Sequence, residues 1–437
     1  MENLFNIKKF STTDSNFAIS FKNLLSPASN KEINNISKTV NEIISEVKDL
    51  GDDALKKYIK KFDKLNIDSV DSLEVPNEIV KNAYTKISKD QKKALDTAAK
   101  RIKTFHEKQK IEPFQYFDEY GSKISMQVLP IQKVGIYVPG GKAAYPSSVL
   151  MNTIPAKVAG VKEIIMVVPC SDDGINEMVL AAAFISGVDK IYKIGGAQAI
   201  AALAYGTETI PKVDKIVGPG NAYVAEAKRQ VFGDVGIDMV AGPSEILIIS
   251  DGSGNPDWIT MDLFSQAEHD ELAQSILLCT SKSFINLVQA SISKLLPEMS
   301  REKIIKKSLG MRGALIHVEN LEEACDLANQ IAPEHLEIVV EDSDKCVKKI
   351  TNAGSIFLGH FSSESLGDYC AGPNHVLPTS GSARFSSGLS VYDFKKRTSI
   401  INITSEGAKA LGKVASVIAR SETLTAHAKS AEIRYKN

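Results

Sequence analysis

The sequence predicts an α/β protein with mostly parallel sheets, and three observations lead there. From Val134 onward, short apolar runs alternate with helical patterns, as βαβ units require. Strand-like runs at 134–138, 163–168, 189–194, 214–217 and 246–250 enclose helices near 147–159, 176–186, 197–205 and 222–232. A second alternation then places strands near 274–279, 314–318, 337–341 and 354–358, with helices near 283–296, 320–330 and 343–350. Two α/β domains are therefore expected. The first 120 or so residues read helical and Lys-rich, as in 36–62 and the charged run 89–110, a solvated helix face. The tail after about residue 390 reads mostly helical and too small to hold a core of its own.

Composition narrows the class. A chain of 437 residues, 43% hydrophobic and 24% charged, buries a large core. A net charge of −1 offers no electrostatic footprint for nucleic acid or an anionic membrane. The five cysteines are scattered without a Cys-x-x-Cys, which favours a reducing compartment over a disulfide framework. The N-terminus lacks a signal or transit character, and no run of about eighteen apolar residues occurs, so the expected location is cytoplasmic.

Four segments carry chemistry-bearing side chains. Gln266 and His269 stand three apart in a stretch free of Gly and Pro after Pro256, with Asp257 as a candidate cap. Positions i and i+3 share a helical face, so both can reach one ion, although a Gln-x-x-His pair equally suits a solvated face. Glu334 and His335 follow Pro333, which biases Ala332 towards extended backbone. As neighbours they diverge, which suits two separate tasks, one at a water and one at a substrate proton. A helix-start Glu beside a packed His is the other reading. Asp368 lies in a loop-like passage from Glu364 to His375, where an Asp can also serve its own turn. Glu422 and His427 fall in a tail helix with Ser421 as candidate N-cap, a pattern shared with any charged surface helix. Together these are donors for a hard-to-borderline metal beside an acid/base pair.

The glycine-rich strings identify no cofactor by themselves. Gly135 to Lys142 misses the phosphate-loop spacing by one residue, and Ala143 stands where Ser or Thr would bind magnesium. Gly218-Pro219-Gly220-Asn221 begins like a dinucleotide fingerprint, but Tyr223 occupies the third glycine position. What remains is a set of glycine-bearing strand ends leading into helices, which are good phosphate sites in general and good structural turns too.

From about residue 30 onward the chain resembles histidinol dehydrogenase. The resemblance rests on Val134 to Gly141, Gly195 to Ala199, Gly218 to Ala222, Ala241 to Glu245, the Gln266 and Glu334 motifs, and Gly372 to Pro378. It implies an NAD-dependent, four-electron oxidation of L-histidinol through the aldehyde to L-histidine, the last steps of histidine biosynthesis. It implies one zinc ion per subunit, held by Gln266, His269, Asp368 and His427, the last from the partner of a homodimer with an exchanged C-terminal domain. Glu334 and His335 match the acid/base residues. Ser244, Gln266, His269, His335, Asp368, Glu422 and His427 match substrate contacts, and Tyr137, Gln198 and Asn221 match NAD contacts. The implied architecture is two incomplete Rossmann-like domains: 31–135 with 245–388, and 136–244 for NAD. A 1–30 extension and a 389–437 exchange segment complete it. Ser363 and Ser380 depart from the family pattern, where Pro and Gly are more usual.

Two other classes share parts of this inventory. A metal-dependent hydrolase would use the same metal and acid/base set but turn over without nicotinamide. A silent binding protein would have no need to keep all six metal and acid/base residues. From the ligands alone, cobalt or manganese suit the site as well as zinc.

Overall fold

The computed structural model describes residues 5–25, 30–140, 144–170 and 174–435. Among the described residues fourteen strands form three sheets: β1 Lys8–Ser11, β2 Phe114–Phe117, β3 Lys123–Pro130, β4 Lys133–Tyr137, β5 Glu163–Val167, β6 Lys190–Tyr192, β7 Lys215–Val217, β8 Gly236–Ile237, β9 Glu245–Ser250, β10 Gln274–Cys279, β11 Ala314–His317, β12 His335–Val339, β13 Ser355–Leu358 and β14 Lys395–Asn402. Every strand pair in the two large sheets is parallel, as the alternation predicts.

The first large sheet runs β6-β5-β4-β7-β8. Its strands read as continuous apolar runs because helices cover both faces. Pro146–Ala159 and Glu177–Ser186 lie on one face, Gly196–Tyr205 and Ala222–Val231 on the other. A further helical layer lies outside: Asn77–Lys86 and Lys89–His106 over the first pair, Asn30–Leu50 over the second. Sandwiching explains the apolar-all-round composition of the inner helices. Gly196–Tyr205 buries every residue from Ala197 to Ala204, and its alanines let both neighbours approach closely. The N-terminal helices, which the resemblance groups with 245–388, thus pack on the five-stranded sheet.

The second large sheet runs β1-β11-β10-β9-β12-β13. Helices Pro256–Ala267, Lys282–Leu295 and Glu302–Arg312 cover one face, and Phe17–Leu25 and Leu321–Ile331 the other. Residues 8–11 add its edge strand by pairing with 314–317.

The third sheet, β14-β3-β2, is antiparallel and was not anticipated. The tail therefore begins with an eight-residue strand, not a helix, paired from Lys395↔Pro130 to Asn402↔Lys123. Its residues are mostly exposed, so no period-2 burial pattern marks it in sequence. Beyond it, Ser405–Ser421 and Thr425–Tyr435 pack on each other. Among the described residues no helix is long and apolar enough to cross a membrane.

The sandwiched helix yields a stability prediction. Ala201→Leu inserts three carbons where the residue is 0% exposed. It should cost about 1–3 kcal/mol by overpacking and lower the calorimetric unfolding midpoint. An unchanged midpoint would show that the layer has slack.

Candidate active site

The sequence-derived acid/base pair sits at the amino edge of the six-stranded sheet. His335 opens β12 opposite Ile246, and Glu334 precedes it. Both are buried. The backbone of one neighbouring residue holds them: Glu245 N–H donates to Glu334 Oε2 at 2.9 Å, and His335 Nδ1 donates to Glu245 C=O at 3.1 Å. That bond makes Nδ1 the protonated nitrogen and leaves Nε2 without a hydrogen-bond partner. Asp368 Oδ1 stands 3.4 Å from Nε2. Glu334 and His335 do not diverge fully, since Oε2 and Nδ1 are 3.7 Å apart.

The approach to this pair is not the extended one expected from Pro333. Ala332 is left-handed, with φ 52° and ψ 61°, because it terminates helix Leu321–Ile331 and its N–H bonds Ala328 C=O. Such a conformation costs a non-glycine residue of order 1 kcal/mol or more and turns the chain sharply into β12.

Sequence reasoning missed the carboxyls packed around the pair. Glu364 Oε1 lies 3.6 Å from His335 Nδ1. Glu337 Oε1 accepts from Glu364 N–H at 2.7 Å. Burial pushes Glu334 and Glu364 up to about 8 and Asp262, beside Glu337, up to about 6. Burial alone would lower the His335 pKa, but the carboxylates of Glu364, Glu334 and Asp368 hold it well above the usual imidazole range. No spacing signal marks Glu364, because tertiary packing alone brings it here.

The candidate ligands gather at the same place. Helix Pro256–Ala267 is capped by Asn255, whose Oδ1 accepts from Asp257 N–H, so Asp257 is not the cap. Gln266 is buried near the helix end, and His269 follows in the terminal turn. The Gln266 amide nitrogen belongs on Glu364 Oε1 at 2.8 Å and Glu245 C=O at 3.1 Å. That leaves its oxygen on the His269 side. Asp368 sits in a π-helical turn, Gly367–Ala371, rather than a loop, and its C=O bonds His375 Nδ1 at 2.8 Å. A Cβ at Gly367 would strike the Phe357 ring, so the turn needs glycine there. Asp368 is held below the usual carboxylate range: its burial acts upward, but His335, His375 and His269 outweigh it.

These groups suit a divalent cation. His335, Glu364 and Asp368 place ligand atoms within 4.8 Å of one another, and an amide oxygen and a second imidazole lie alongside. Ser244, half-buried, precedes Glu245 and accepts from Gln274 N–H at 2.9 Å. Glu422 and His427 are exposed and lie outside the cluster. Ser421 is no N-cap: it ends helix Ser405–Ser421, Glu422 follows as C-cap, and Thr423 at φ 64° breaks the chain before Thr425–Tyr435.

Tyr137, Gln198 and Asn221 converge at the carboxyl edge of the five-stranded sheet. Tyr137 ends β4, and its hydroxyl accepts from Gly196 N–H at 3.1 Å. Gln198, in the first turn of helix Gly196–Tyr205, donates to Asp63 at 3.4 Å. Asn221 caps Ala222–Val231, accepting from Tyr223 and Val224 N–H. Asp63 was not anticipated; burial lifts it to about 6. The family departures fit their positions. Ser380 has φ 54°, where glycine is at ease. Ser363 has φ −69°, the angle proline imposes.

Comparison with known proteins identifies the family. A family model described as histidinol dehydrogenase matches residues 26–435. The chain is 58% identical over 431 residues to histidinol dehydrogenase of Dechloromonas aromatica, covering 99% of each. It is 56% identical over 430 residues to that of Pseudomonas aeruginosa, covering 98% of each. The crystal structure of histidinol dehydrogenase from Elizabethkingia anophelis matches with a TM-score of 0.90 at 36% identity, covering 98% of each chain. With sequence and structure aligned over nearly the whole length, the chain belongs to the histidinol dehydrogenase family.

Proposed function

We propose that this protein oxidises L-histidinol to L-histidine with two NAD, in the cytoplasm, as a zinc-dependent homodimer. The observation that carries this reading is the Glu334-His335 pair held on the backbone of Glu245 beside Gln266, His269 and Asp368. The reaction needs two hydride departures and one water addition. In its neutral form His335 would take the hydroxyl proton at Nε2, the nitrogen that faces Asp368, as the first hydride leaves. Glu334, whose carboxyl burial pushes up to about 8, would in its ionised form remove a proton from water adding to the aldehyde carbon. Once His335 has released that first proton to solvent, the resulting diol gives it a hydroxyl proton as the second hydride leaves to the second NAD, and the acid is formed. Zinc held by Gln266, His269, Asp368 and the partner's His427 would supply positive charge and coordination sites that orient the substrate. Ser244, Gln266, His269, His335, Asp368, Glu422 and His427 would line the substrate site.

NAD fits the incomplete Rossmann-like half, residues 136–244, at the carboxyl edge of the five-stranded sheet. The strand order reverses beside β4, the place where open α/β sheets bind ligands. Tyr137, Gln198 and Asn221 stand there, with two helix N-termini suited to a pyrophosphate. The exchanged tail, residues 389–437, accounts for an exposed apolar surface that one chain leaves bare: Val414, Val417 and Ile418 on helix Ser405–Ser421, Leu424 in the break after it and Ile401 on β14.

Purified enzyme given histidinol and excess NAD should form two NADH per histidine. One NADH per turnover, with aldehyde accumulating, would refute the four-electron reading.

His335→Asn should cut turnover at least 100-fold with nearly unchanged bound zinc, whereas His269→Ala should lose zinc and activity together. Metal analysis after dialysis separates the two, and equal zinc loss would make His335 a ligand.

If each site takes Glu422 and His427 from the partner, mixing inactive His427→Ala and His335→Asn proteins should restore activity. Half the dimers become mixed, each with one intact site, so recovery approaches about a quarter of wild-type sites. No recovery after verified subunit exchange would place the whole site in one chain.

A further inference from the structure

A fully buried ion pair stands behind the Gly218-Pro219-Gly220-Asn221 loop. Lys228, on helix Ala222–Val231, is 1% exposed and pairs with Asp238 Oδ1 just past β8. The two side chains grip the same residue from opposite sides. Asp238 Oδ2 accepts from Gly218 N–H at 2.8 Å, and Lys228 Nζ donates to Gly218 C=O at 2.9 Å. Gly218 itself has φ +107°, and a Cβ there would run into the Tyr137 carbonyl. Its conformation is thus set on three sides: by an anion, by a cation and by the end of β4. Three residues later comes Asn221, and beneath the loop lies Tyr137.

A buried ion pair contributes little stability compared with apolar residues of the same size, because desolvating two charges offsets their attraction. Such a pair is better explained by a geometric task. We infer that Lys228 and Asp238 are positioning residues that hold the Gly218–Asn221 loop in its dinucleotide-binding shape. They act through the loop and touch no cofactor themselves. The inference rests on the reading of Tyr137 and Asn221 as NAD contacts, and it adds the two residues that set the distance between them.

The test measures NADH affinity by fluorescence titration, histidinol affinity by calorimetry, and zinc content, on the holoenzyme and two variants. The deciding variant is the double substitution Lys228→Met with Asp238→Asn, which removes both charges and leaves none buried alone. Loss of the grip on Gly218 C=O should weaken NADH binding about tenfold, on the scale of one lost charge-assisted hydrogen bond. Histidinol affinity and zinc content should stay within about twofold, since their site is on the other sheet. The second variant, Lys228→Gln with Asp238→Asn, also leaves no charge buried alone but keeps two hydrogen-bonding side chains, so it should fall between and covers the case in which the first variant does not fold. Wild-type NADH affinity in a folded double variant overturns the inference. Equal loss of NADH and histidinol binding also overturns it, as the pair would then be holding the fold in general. Absence of saturable NADH binding in the unsubstituted protein would remove the NAD reading and this inference together.

Discussion

The backbone of Glu245 is the fixed point of the candidate active site. Its N–H holds the carboxyl of Glu334, and its C=O orients the ring of His335 and accepts from the Gln266 amide. The first residue of a strand bonded on both sides therefore sets His335, Glu334 and Gln266 together. With Nδ1 tied to that strand, the His335 ring turns Nε2 towards Asp368, 3.4 Å away.

Around this anchor the protein gathers an excess of buried acid. Glu245, Glu334, Glu337 and Glu364 are all buried, with Asp262 and Asp368 close by. Burying several carboxyls without a matching positive charge drives them to keep their protons, as the upward shifts of Glu334 and Glu364 record. Such a site is poised for a cation, whose charge would let the same groups ionise. The demand of Glu364 for a donor also turns the Gln266 amide, so that an oxygen faces the space a cation would take.

The two large sheets meet in an unusual sense. In open α/β sheets the carboxyl edge binds ligands, and the five-stranded sheet follows that rule. The six-stranded sheet presents its amino edge instead. The cause is covalent: β8 ends at Ile237 and β9 begins at Glu245, so a short linker carries the chain from the carboxyl edge of one sheet to the amino edge of the next. Helix Pro256–Ala267 then runs back along β9 and delivers Gln266 to that same edge. The edge that carries Tyr137 and Asn221 and the edge that carries His335 are thereby joined by that one linker.

Local patterns determined much of this protein. Apolar runs placed the strands of both parallel sheets within a few residues, except the short edge strands β1 and β8, because strands buried on both faces have to be apolar throughout. The resemblance, more than short-range chemistry, singled out Gln266, His269, Glu334, His335 and Asp368, since each string suits a surface helix or a turn equally well; the structure brings the five together. Where local preference met a tertiary demand, the demand prevailed. Ala332 became left-handed despite Pro333, Thr423 broke a helix that reads as continuous, and β3 paired with β14 across most of the chain. Glu364 and Asp63 entered their sites, and Lys228 met Asp238, only through packing. Distances between residues far apart in sequence depend on how the layers stack, and a one-dimensional pattern carries the period of each element but not the partner it will face.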